Sequence, residues 1–328
     1  MTLSDKELLE LYRWMVMERL FDEKVNSLFR MGKIMSMFHS VLGQEAVNVG
    51  AAYALEDGDT FIPSHRGKVI YLIRGMDMNF FMAGLFGKKE GFGQGRVPVG
   101  SHMCGDVEIG LLPAEGLVGS SFVVGVGAAL ALKLQHKPNA SLIFVGDGAS
   151  NRGDVHEGMN FAAALNLPVV FLMVNNGWSL SVRASYGLSV KHLSDRAQGY
   201  GIPGVTIDGR DVVKVYETVS EAMESARQGR GPVLVETLVD RWSAHSVNDP
   251  DLYRTDEERI RVKTRDPLKE FESELQQRSL LTAEDIERTA QELEDQFKSA
   301  IEYAESCTEP GIECLSFGLY KDTDLWQK

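Results

Sequence analysis

The chain has 328 residues, 44% of them hydrophobic, enough to bury one large core or two small ones. Its formal charge of −13 at pH 7 argues against a nucleic-acid backbone or an anionic membrane as partner, and no apolar run reaches the roughly 18 residues of a membrane-spanning helix. Cys104, Cys307 and Cys314 lack metal-site spacing and the N-terminus lacks the shape of a secretory signal, so free thiols in a reducing cytoplasm are expected.

Ser4-x-x-Glu7 is a capping box that opens a helix with apolar Leu8, Leu11, Tyr12, Met15, Val16 and Leu20, ending near Gly32. Residues 44–55 are rich in small side chains and predict a closely packed helix. Thr60-Phe61-Ile62-Pro63 is a short extended piece, followed by helices near 69–74 and 78–85. Residues 87–110 hold seven glycines and read as a functional loop. Gly125-x-Gly127-x-x-Leu130 lacks the third glycine of a dinucleotide fingerprint, so it predicts a helix start and close packing.

Residues 141–145 are a short apolar run that ends in Gly146-Asp147-Gly148, which reads as a buried strand opening into a turn. Residues 154–166 have helical composition, and residues 168–174 form a second apolar run ending in Asn175-Asn176. This is a β-α-β unit with parallel strands and a right-handed crossover. Asp147 and, 29 residues later, Asn176 therefore emerge side by side at the carboxyl edge of a sheet, where such folds bind ligands. A carboxylate and an amide oxygen are hard ligands that suit a magnesium ion holding phosphates. Further strands are expected at 205–209 and 233–237 around a helix at 212–226. Residues 241–265 are charged and contain Pro250, which predicts a surface loop with a short helix, few buried contacts and mobility. Thr282-x-x-Asp285 caps a long helix through Ile286, Leu293, Phe297 and Ile301.

The Gly-Asp-Gly to Asn-Asn spacing resembles the thiamine diphosphate signature. Met37-Phe38-His39-Ser40-x-x-Gly43-Gln44-Glu45-Ala46, Ser64-His65-Arg66-Gly67, Gly116-Leu117-Val118-Gly119, Gly146-Asp147-Gly148-Ala149-Ser150-Asn151 and Arg241-x-x-x-His245-Ser246-x-x-Asp249-Pro250 occur in order. Over residues 5–305 they resemble the alpha subunit of the heterotetrameric pyruvate, branched-chain and acetoin dehydrogenases. The resemblance implies an α/β, parallel-sheet thiamine diphosphate-binding fold, its diphosphate-binding half, as one domain over 1–328. An N-terminal helical part would cover 1–56 and a C-terminal helical extension 266–328.

The resemblance also implies that Asp147, Asn176 and the carbonyl of Trp178 hold Mg2+. His65, Arg66, His245 and the amides of Gly148 and Ala149 would meet the diphosphate, and Gly116 and Val118 the aminopyrimidine ring. His39, His65 and His245 would stand at the reacting centre. A beta subunit would supply the carboxylate that activates the ring, because no second strand-helix series of similar size is present. Cleavage of a 2-oxo acid or acyloin next to its carbonyl would pass an acyl unit to a lipoyl group on another component. A carboligase subunit would share the cofactor without that acceptor, and a non-catalytic relative acting as a binding subunit would not need the histidines. Three departures from the family pattern concern the substrate: Gly100-Ser101-His102-Met103 in place of Gly-Ser-Met-His, Lys68 in place of His, and Ala244 in place of Gly. No role is carried onto His102.

Overall fold

The computed structural model describes residues 3–34, 37–97, 104–113 and 116–315. The Gly-Ser-His-Met segment and the end of the expected C-terminal extension, residues 316–328, lie outside them.

Strands β1 (Thr60–Ile62), β2 (Ser141–Gly146), β3 (Val169–Asn175), β6 (Gly204–Asp208) and β7 (Val233–Leu238) form one parallel sheet in the order β1-β2-β3-β7-β6. Strands β2 and β3 are nearly continuous apolar runs because both faces of the sheet are covered. Successive side chains point to opposite faces. Leu142, Phe144, Val170, Leu172 and Val174 join one core, whereas Ile143, Val145, Val169, Phe171 and Met173 join the other. A two-stranded hairpin, β4 (Trp178–Ser179) with β5 (Val182–Arg183), follows β3 directly.

Helix α1 (Asp5–Arg30) opens on the expected Ser4–Glu7 capping box, and the chain turns out of it through Gly32 at a φ of 73°. Helix α2 (Glu45–Tyr53) lies so close to α9 (Val212–Arg227) that a Cβ on Gly50 would sit 2.8 Å from the Val212 carbonyl. Helices α3 (Val69–Ile73) and α4 (Met78–Leu85) match the sequence reading. Helix α5 (Phe122–Leu134) begins three residues before the Gly125 start that the sequence suggested. Phe122 is buried and stacks on Phe171 at 4.9 Å, so core packing extends the helix backward. Gly125 packs on the sheet, where a Cβ would meet the Ile143 side chain at 2.6 Å, so its glycine serves helix packing. Helix α6 (Gly153–Ala164) makes the β2–β3 crossover. Two short helices, α7 (Ala184–Gly187) and α8 (Ala197–Tyr200), and α10 (Asp256–Arg261) lie in connections. Helices α11 (Pro267–Gln277) and α12 (Ala283–Ser306) pack back on α1, α12 opening on the expected Thr282–Asp285 box. Among the described residues the three cysteines are free thiols, and no helix is long and apolar enough to cross a membrane.

The inner face of α1 is not wholly apolar. Glu18, Asp22, Glu45 and Lys68 are buried near one another. Desolvation pushes the Glu18 carboxyl up to about 8 and Asp22 up to about 7, and the neighbouring carboxylates add to both. A carboxyl whose folded pKa is raised stabilises the fold fully below its unfolded value and loses that contribution as pH climbs through the folded one. Stability should therefore fall as pH rises from about 4.5 to about 8. Glu18→Gln keeps the oxygen that accepts the Lys68 amide at 3.2 Å and removes the titration. Thermal melts across this window should show a flatter profile for the variant; parallel profiles would place the pH dependence elsewhere.

Candidate active site

Parallel strands bring all their C-terminal ends to one edge. The loops after β1, β2, β3 and β7 meet there around a cavity of about 720 Å³. It is lined by all eleven residues singled out in the sequence: His39, His65, Arg66, Gly116, Val118, Asp147, Gly148, Ala149, Asn176, Trp178 and His245.

Asp147 ends β2 at 3% exposure. Its Oδ1 accepts the Gly148 amide at 2.7 Å, whereas Oδ2 is buried without a hydrogen bond of normal geometry. Desolvation raises its pKa, and the nearby amides of Gly148, Gly177 and Trp178 counter this by favouring the carboxylate. A buried carboxylate oxygen left this way is poised for a cation. The Gly148 amide expected to face an anion is thus engaged by Asp147 itself. Gly148 must be glycine, since a Cβ would fall 2.1 Å from Ser179 Oγ.

Asn176 follows the neighbouring strand β3 and lines the same cavity as Asp147. Its Oδ1 accepts the Trp178 amide at 3.1 Å and its Nδ2 donates to Gln44 Oε1 at 3.2 Å. Between them Gly177 takes a φ of 79°, a left-handed turn that glycine adopts without strain. Asn175 holds the turn from behind: its Oδ1 accepts the Gly177 amide at 3.2 Å and its Nδ2 donates to buried Glu236 at 2.8 Å.

On the opposite side three imidazoles cluster. The rings of His65 and His245 each lie 4.7 Å from that of His39, centroid to centroid. His39 Nδ1 lies 2.8 Å from the His245 carbonyl, which can only accept, so Nδ1 carries the proton and Nε2 the lone pair. His245 Nδ1 faces the Arg66 Nη2 donor at 3.4 Å, which places the His245 proton on Nε2. One ring thus offers an acceptor and its neighbour a donor. Desolvation, with Arg66 adding to it, brings His39 down to about 3 and His245 down to about 4, so both are neutral at pH 7.

Arg66 is buried, donating to the Ser40 and His245 carbonyls at 2.7 and 3.1 Å. Burial and Arg241 bring its pKa down to about 9. Arg241 is 1% exposed, with only Nη2 bonded, to Tyr253 Oη at 2.8 Å, while Nε and Nη1 have no partner. Two buried guanidiniums near a single Asp147 carboxylate leave the region with an excess of positive charge. The sequence reading quoted Gln44 and Arg241 within motifs but gave neither a role. Their signal was a polar side chain inside a motif with no assigned partner.

The charged segment 241–265 carries the expected short helix, α10, and differs from expectation at Arg241 and Arg254, which are buried. Arg254 is buried, bonds the Arg241 and Trp242 carbonyls at 2.6 and 3.2 Å and pairs with Asp251, while Arg259 donates to the Asp251 and Arg254 carbonyls. The guanidiniums of Arg254 and Arg259 bind the loop's own backbone, while Arg261 and Arg265 are exposed. Asp249 accepts the His245 amide at 2.9 Å and the Tyr253 hydroxyl at 2.7 Å, which fixes His245 from behind.

The model of the family described as "Dehydrogenase E1 component" matches residues 12–313. The chain is 36% identical to the alpha subunit of acetoin:2,6-dichlorophenolindophenol oxidoreductase from Bacillus subtilis, over 94% of this chain and 92% of that one. It is 39% identical to the 2-oxoisovalerate dehydrogenase alpha subunit of the same organism, over 88% and 87%. It is 34% identical to the pyruvate dehydrogenase E1 alpha subunit of Rhizobium meliloti, over 95% and 89%.

Proposed function

The chain belongs to the dehydrogenase E1 component family, as an alpha subunit of the 2-oxo acid and acetoin dehydrogenase kind, and from this we propose that it holds the magnesium and diphosphate of thiamine diphosphate in the cavity at the sheet edge. The observation that carries the reading is Asp147 Oδ2, buried without a hydrogen-bond partner in a cavity that Asn176 also lines. Asp147 Oδ2, Asn176 Oδ1 and the Trp178 carbonyl are all oxygens, the donor set magnesium takes. Arg66, His65, His245 and the amide of Ala149 would receive the diphosphate, the Gly148 amide being held by Asp147, and the backbone at Gly116 and Val118 would receive the aminopyrimidine. When bound, thiamine diphosphate supplies the carbon nucleophile and electron sink for cleaving a bond next to a carbonyl.

The protein's part is positioning and proton handling. His245 Nε2–H can donate to an oxygen that gains charge, and His39 Nε2 can accept a proton. The negative charge of a diphosphate would offset Arg66 and Arg241 and so raise both histidines toward the range where they transfer protons. The substrate is a 2-oxo acid or an acyloin such as acetoin, and a lipoyl group on an acyltransferase component takes the acyl unit. The His65 imidazole inclines the choice toward acetoin.

A beta subunit completes the site. Asp147 is the one carboxylate lining the cavity among the described residues, and it is committed to the cation. No carboxylate is left there to activate the aminopyrimidine. The cavity rim also carries exposed apolar side chains, Leu117 at 69% and Leu180 at 57%, as a surface awaiting a partner would. Purified alone with thiamine diphosphate and magnesium, the chain should consume neither a 2-oxo acid nor acetoin. Adding the beta subunit should restore turnover with an artificial electron acceptor. Robust turnover by the isolated chain would show that the activating carboxylate lies within it.

A further inference from the structure

Gln44 stands at the start of α2 and lines the cavity at 2% exposure. Its Oε1 accepts Asn176 Nδ2 at 3.2 Å, and its Nε2 is buried without a hydrogen-bond partner. The two amides constrain each other. For Asn176 to turn Oδ1 toward a cation, Nδ2 must find an acceptor elsewhere, and Gln44 Oε1 is that acceptor. Gln44 Nε2 is then necessarily the remaining end of its amide. A carboxylate at position 44 would satisfy Asn176 equally well, so holding Asn176 does not by itself call for an amide. The amide adds a donor, and a buried donor with no partner is rare in folded proteins.

We propose that Gln44 is a binding residue of the diphosphate site, its Nε2 donating to a diphosphate oxygen while its Oε1 orients Asn176. This rests on the cavity being the thiamine diphosphate site. The residue couples the two ends of the bound group: the amide that orients a cation ligand also bonds the anion that the cation holds. No charge is added beside Asp147, which a glutamate at this position would do.

The test is thiamine diphosphate binding to the full chain at saturating magnesium, read by the fluorescence of Trp178 in the cavity wall. Gln44→Met keeps the length of the side chain and removes both bonds. Gln44→Glu keeps the acceptor for Asn176 and replaces the donor with a negative charge. Both should weaken binding about 10- to 100-fold, the range seen when a partner of a metal ligand is lost, with Glu at least as damaging as Met. Thermal melts confirm that each variant is folded, and if one is not, the other decides. Wild-type affinity in Gln44→Glu would show that the donor is unused and overturn the proposal. Asp147→Ala, titrated in parallel, separates the two failures. If it too binds normally, the cavity reading is wrong; if it alone loses binding, only the role of Gln44 falls.

Discussion

Asp147→Ala is expected to bind no thiamine diphosphate at concentrations that saturate the wild type with magnesium, while keeping its fold. The carboxylate ends β2 with one oxygen turned back to the Gly148 amide and the other unpaired in the cavity. Alanine removes the proposed metal ligand without opening the hydrophobic core, because Val145 and Phe144 beneath it stay packed on opposite faces of the sheet. The variant leaves the Gly148 amide and the Arg66 and Arg241 guanidiniums without this carboxylate, so a modest fall in melting temperature with the fold retained is expected. Unchanged cofactor affinity in this variant would remove the magnesium assignment.

His245→Ala should lower turnover of the assembled enzyme by about 10²–10⁴-fold, the range for losing a positioned acid-base group. The geometry separates this from a general loss of structure. His39 Nδ1 and Arg66 Nη2 both bond the backbone carbonyl of residue 245, which alanine retains. The Asp249 carboxylate and Tyr253 hydroxyl hold the backbone amide, which is retained as well. Cofactor affinity should change much less than turnover. Full activity of the variant would make this loop scaffold and end the functional reading of His245.

The strand-turn pattern around Asp147 and Asn176 was legible because it is local: each strand writes its apolar run into consecutive residues, and a parallel pair puts both ends on one edge. The capping boxes at Ser4 and Thr282 were legible for the same reason. Gln44 was not, since its partner Asn176 is 132 residues away and only the sheet order brings them together. The hairpin Trp178–Arg183 has two residues per strand, too few for an alternation to show. In segment 241–265 the short helix was legible, but the burial of Arg241 and Arg254 was not, because charge was read as exposure. Arg254 is buried on backbone carbonyls and half-buried Arg259 also bonds them, so a guanidinium's several donors replace the hydrogen bonds of regular structure there, whereas Arg261 and Arg265 are exposed. The start of α5 was displaced by Phe122, whose burial against Phe171 is a tertiary effect.

The most direct test of the account is a thiamine diphosphate titration of the full wild-type chain, once with magnesium and once with the divalent cation chelated. The account predicts saturable binding with magnesium and its loss under chelation, because Asp147 and Asn176 reach the diphosphate only through the cation. Binding of equal strength without a divalent cation, or none with it, would contradict the assignment of this cavity.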